Sequence, residues 1–93
     1  MSINVKIPTP LRSITNGQES IVLDTSKVAD CLSQLEGEFP GIKERLMDET
    51  GEIRHFVNVY VNGEDVRFLD GLDTKLKNGD EISIVPAVAG GQS

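Results

Sequence analysis

Cysteine occurs once, histidine once and tryptophan not at all, and the aromatic complement is three phenylalanines and one tyrosine. A single thiol cannot close an internal disulfide, which fits a reducing compartment. With one histidine and one cysteine, no His/Cys set with metal-ligand spacing exists, and no metal site is expected. No apolar run approaches the twenty or so residues that span a bilayer, and the amino terminus lacks a basic segment leading into an apolar stretch. A cytoplasmic protein with no membrane partner is therefore expected. Basic residues are also scarce: nine Lys and Arg stand against fifteen Asp and Glu, a formal charge of -6. Phosphate backbones are bound through clustered Lys and Arg, so the balance argues against nucleic acid and favours a protein partner with a basic surface. Neither a phosphate-cradling glycine loop nor a nucleophile with a base and an orienting group can be assembled, so the chain has no catalytic residues of its own. Asp70, Asp73, Asp80 and Glu81 are spread over turns without the spacing of a calcium loop and read as solvated charges.

What is present is enough for one small core. The 93 residues divide into a folded unit, residues 1–85, and a tail, residues 86–93. Ile3, Val5 and Ile7 alternate with Asn4 and Lys6 as a first strand, which Pro8 and Pro10 end. A second strand, Glu19 to Leu23, pairs with it antiparallel after a long turn through Asn16 and Gly17. Asp24, Thr25 and Ser26 are candidate caps for the one long helix, whose apolar stripe is Val28, Cys31, Leu32 and Leu35. Gly37 and Pro40 close it, and a shorter helical turn presents Ile42 and Leu46. The best strand is Phe56 to Val61, with Val57, Val59 and Val61 facing the helix and Phe56, Asn58 and Tyr60 on the open side. Asn62-Gly63 signals a tight turn into a brief strand near Val66 to Phe68, and Asn78-Gly79 a turn into a last strand, Glu81 to Val85. A right-handed crossover sets that strand beside the first and parallel to it, giving an α+β mixed sheet of four to five strands under one helix.

Pro86 cannot donate to a ladder, so the last strand stops near Val85, and beyond it no side chain exceeds valine until Gln92. Pro86 to Gly91 project roughly 20 Å when extended, and the two glycines, lacking Cβ, thread a passage too narrow for other residues. The element order, the stretch His55-Phe56-Val57-Asn58-Val59-Tyr60-Val61-Asn62-Gly63-Glu64-Asp65-Val66-Arg67-Phe68 and the ending Pro86-Ala87-Val88-Ala89-Gly90-Gly91 resemble the ubiquitin-like sulfur carriers, the MoaD/ThiS family with the β-grasp fold. Glu44-Arg45-Leu46-Met47-Asp48 and the ending are similar to the branch serving thiocarboxylate-dependent cysteine synthesis. Typical molybdopterin-synthase small subunits commonly carry a second proline where Ala87 stands here.

The resemblance implies that Gly91 is the covalent carrier: an E1-like enzyme adenylates its carboxylate with ATP and converts it to a thiocarboxylate, while Val88, Ala89 and Gly90 thread the partner's cleft. The acceptor it implies is a cysteine-synthase-type enzyme using pyridoxal phosphate, with no cofactor bound to this chain, which would be a monomer when free. The alternatives are the small subunit of molybdopterin synthase and a ubiquitin-like modifier or interaction domain. One departure matters: Gly91 is amide-linked to Gln92 and has no carboxylate to activate. A precursor is expected, cut between Gly91 and Gln92 by a zinc metallopeptidase of the JAMM type, the rival explanation being that Gln92-Ser93 is an expression artefact. Cys31 reads as a buried structural thiol, His55 as a surface residue, and Phe56, Asn58 and Tyr60 as a partner surface unless the following loop covers them.

Overall fold

Strand alternation sends Ile3 and Val5 of β1 (Ser2–Lys6) into the interior and leaves Lys6 outside. β1 pairs antiparallel with β2 (Ser20–Asp24), Ile3 opposite Leu23 and Val5 opposite Ile21. Between them Pro8 and Pro10 lead into a short 3-10 helix, Thr9–Leu11, and Asn16 and Gly17, both at positive φ, turn the chain back. The computed structural model describes residues 2–86. Its sheet has the order β2-β1-β5-β3-β4, with β5 (Glu81–Pro86) parallel to β1 and antiparallel to β3 (Val57–Val61). The expected mixed sheet with the last strand beside the first is thus the one formed.

Helix α1 (Val28–Glu38) buries Val28, Cys31, Leu32 and Leu35, and these join Ile3, Val5, Val57, Val59, Ile82 and Ile84 in one apolar cluster. Its start differs from expectation. The N-cap position is Lys27 and no side chain caps it, so Asp24, Thr25 and Ser26 do not serve as caps. The Val28 N–H donates instead to the Thr74 carbonyl at 3.1 Å, and the Leu76 N–H donates to Ser26 at 2.8 Å. Backbone brought from the later loop fills the place a capping side chain would take, and Thr25 Oγ1 is turned onto the Lys27 carbonyl. Gly37 lies inside the helix, not at its end; the chain leaves through Phe39, Pro40 and Gly41, the last at φ 101°. Glu36 then accepts the N–H groups of Gly41 and Lys43, holding α2 (Ile42–Leu46) against the end of α1. Those two bonds hold the Glu36 carboxyl below its ordinary range.

The valine row of β3 is buried as expected. Asn62 and Gly63, at φ 53° and 88°, make the tight turn into β4 (Glu64–Asp65). The brief strand expected at Val66 to Phe68 is a 3-10 helix, because the Asp65 carboxylate accepts the Arg67 N–H at 2.8 Å and closes a turn where a ladder would continue. Asp80 ties two turns together, accepting Asn62 Nδ2 at 3.0 Å and the Lys77 N–H at 2.8 Å. Among the described residues, no helix is long and apolar enough to cross a membrane.

Candidate functional site: the root of the tail

β5 carries the chain toward the tail, and its last residues are gripped from one side. Pairing with β1 ends at Ser83 opposite Lys6, whereas pairing with β3 continues to Pro86 opposite Val57. Pro86 therefore belongs to the strand, one residue beyond the expected end. Pairing with the first residues of β3 holds it in register. Those residues have a bare outer edge, since β4 is opposite only Tyr60 and Val61. Arg67 takes the place of the missing strand. Its Nη2 donates to the carbonyls of Val57 at 2.7 Å and Arg54 at 2.9 Å, and its Nη1 to Asn58 Oδ1 at 2.9 Å. A guanidinium fork can hold three acceptors at once; an ammonium on a flexible stem cannot reproduce that geometry. Arg67→Ala should lower stability by about 1–2 kcal/mol and speed amide exchange at Val57, Asn58 and Val85, with Arg67→Lys recovering only part. Unchanged exchange at these amides would remove Arg67 from the account.

The expected surface row is divided. Asn58 stands opposite Val85 and Tyr60 opposite Ser83, both half-buried on the sheet face away from α1, where Val85 and Val22 are exposed. Asn58 is partly covered, since it receives Arg67. Phe56 precedes β3 and sits at the end of the sheet, where it lines a cavity with Pro10, Leu11 and Pro86 and meets the His55 ring edge-on, centroids 6.0 Å apart. Strand alternation would have put Phe56 with Asn58, but the strand begins one residue later. His55 is exposed, and among the described residues no cluster of three potential metal ligands forms.

Cys31 is fully buried in the α1 stripe, and burial pushes its thiol from the ordinary 9.0 up to about 12. It is inert where a sulfur relay would need an exposed thiolate. Unfolding frees this thiol to ionise above 9.0 while the folded chain keeps it protonated to about 12, so stability fully present below 9.0 is lost as pH rises through that window. The slope is about 1.4 kcal/mol per pH unit at most. Urea melts near pH 8 and pH 10 should show this loss for the native chain and a smaller one for Cys31→Ala; equal losses would contradict the burial.

Val88, Ala89, Gly90, Gly91 and Gln92, to which sequence reasoning assigned threading, covalent carriage and processing, lie outside the described residues. What the described structure supplies is their anchor: a strand clamped by β3, a proline at its end and an apolar cavity beside it.

A mixed five-stranded sheet with one main helix across it and a chain end running off the central strand is the ubiquitin-like β-grasp architecture. The model of the ThiS family matches residues 5–91, and the chain belongs to that family. The sulfur carrier protein CysO of Mycobacterium tuberculosis is 48% identical over 93 residues, covering 98% of this chain and 100% of the relative. Small archaeal modifier protein 3 of Haloferax volcanii is 40% identical over 94 residues, covering 98% and 100%. Among solved structures, the Amycolatopsis orientalis BexX/CysO complex superposes with a TM-score of 0.89 at 45% identity, covering 96% of this chain and 99% of that one. These relatives are named as a sulfur carrier protein and a small modifier protein.

Proposed function

We propose that the protein is a sulfur carrier whose Gly91, freed of Gln92-Ser93, is adenylated by an E1-like enzyme and converted to a thiocarboxylate that supplies sulfur for cysteine synthesis. The observation that carries this reading is the 48% identity, over the whole chain, to a protein named as a sulfur carrier. The chemistry is coherent with it. A carboxylate is a poor electrophile; as a mixed anhydride with AMP it gains a leaving group, and sulfur replaces AMP at the acyl carbon with loss of the C–O bond. The product is ionised near neutral pH and nucleophilic, as a low-pKa thiolate is. ATP is consumed by the activating enzyme, and an acceptor of the cysteine-synthase type would bring its own pyridoxal phosphate. A JAMM-type metallopeptidase would expose Gly91. The body of the carrier contributes a recognisable surface and an aimed, slender end. Asn58, Tyr60 and Val85 on the open face of the sheet would form part of that surface. All of these steps would take place in the cytoplasm.

A second reading, a modifier joined to lysine side chains, is favoured by the 40% identity to a small archaeal modifier protein. One experiment separates the two. Protein isolated from its native host after brief alkylation under native conditions should end at Gly91 and carry the alkyl group on that end, because Cys31 is buried and does not compete. Chains that all retain Gln92-Ser93, or Gly91 found only in lysine conjugates, would overturn the carrier reading.

A further inference from the structure

Beside Pro86 the surface opens into a cavity of about 410 Å³ with an apolar floor of Pro10, Leu11, Phe56 and Pro86. Its remaining wall is Glu44, Arg45 and Arg54. The fork of Arg54 is engaged, its Nε and Nη2 both donating to the Glu44 carbonyl, at 3.1 and 3.0 Å. Arg45 is exposed and makes no hydrogen bond or ion pair among the described residues. Among the described residues Arg67 is the arginine with an ion pair, to Asp65 at 3.8 Å, while Arg12, Arg45 and Arg54 have none. Arg12 and Arg54 are held by the backbone carbonyls of Ile7 and Glu44, and Arg67 by those of Arg54 and Val57, so Arg45 is the one arginine whose guanidinium has no partner among the described residues. No lysine lines the cavity.

We propose that this cavity is the docking site for an acidic peptide segment of the enzyme that activates the tail, with an apolar side chain on the Leu11–Phe56–Pro86 floor and a carboxylate on Arg45. The inference rests on the carrier reading above and deepens it. Geometry supports the placement: only residues 87–91 separate Pro86 from the reacting carbon, roughly 17 Å when extended. An enzyme that encloses so short a segment must set the rim of its cleft on the ground around Pro86. Chemistry supports the occupant. An arginine beside an aromatic ring and a proline is the composition of an interface anchor, and a free guanidinium fork matches a carboxylate in two hydrogen bonds. In a chain of charge -6 such an anchor also sets register, because an acidic segment is repelled by most of the remaining surface and held here.

The test uses the chain ending at Gly91, the activating enzyme of the same host, and ATP–pyrophosphate exchange as a function of carrier concentration. Arg45→Glu should raise the KM for carrier about tenfold with kcat unchanged, Arg45→Ala about threefold, and added salt should narrow the gap. Phe56→Ser, at a half-exposed position, should raise KM in parallel. Because Arg45 is exposed and holds no internal partner, thermal melting of its variants should match the native chain. A native KM for Arg45→Glu overturns the docking site while leaving the carrier reading intact. Absence of exchange with the unsubstituted chain overturns both.

Discussion

Leu32→Ala lowers the unfolding free energy by about 3 kcal/mol, within the range of 2–5 kcal/mol for emptying a fully buried leucine position. Leu32 has no exposed surface and sits in the middle of the α1 stripe, in one cluster with residues of β1, β3 and β5. No flexible rim is at hand to collapse into the void, so both the lost burial and the cavity are felt. A domain of this size has a total stability of about 5–15 kcal/mol, and the loss should pull the melting temperature down by roughly 12–24 °C. Urea titration with matched thermal melts reads the effect. A loss below about 1 kcal/mol would mean that the helix does not pack on the sheet as described.

The second large effect falls on the tail. Gly91→Ala, made in the chain that ends at residue 91, should cut sulfur loading about a hundredfold, because a displacement of about an ångström at the reacting carbon is enough to cost that much. Stability should not change, since the substitution lies beyond the clamp that β3 and Arg67 place on Pro86. Gly90→Val should act in the same direction through the width of the passage rather than the reacting carbon. Undiminished loading of Gly91→Ala would show that the last acyl group is not where sulfur is carried.

Local signals made most of the architecture legible. Strand alternation at Ile3, Val5 and Ile7 and at Val57, Val59 and Val61, with helical spacing at Val28, Cys31, Leu32 and Leu35, is a one-dimensional record of which face is buried. Features set by partners distant in sequence were not legible. The cap of α1 comes from the Thr74 carbonyl, and nothing near Lys27 in the sequence announces it. Val66 to Phe68 has strand-forming composition, yet the Asp65 side chain bends it into a 3-10 turn. Nothing in the sequence marks Arg67, whose role as a substitute strand depends on β4 being two residues long. Phe56 falls just outside the strand, although alternation placed it with Asn58, because the start of a strand, unlike its periodicity, is decided by what pairs with it, here Val57 with Pro86. The tail is the reverse case: Gly90 and Gly91 were legible only in the sequence.

The most direct measurement is the intact mass of two chains, one ending at Gly91 and one retaining Gln92-Ser93, after incubation with the activating enzyme, ATP and sulfide. The account predicts that the first gains the mass of one sulfur replacing one oxygen, located on the C-terminal peptide, and that the second gains nothing. Sulfur on the longer chain, or none on the shorter, would contradict it.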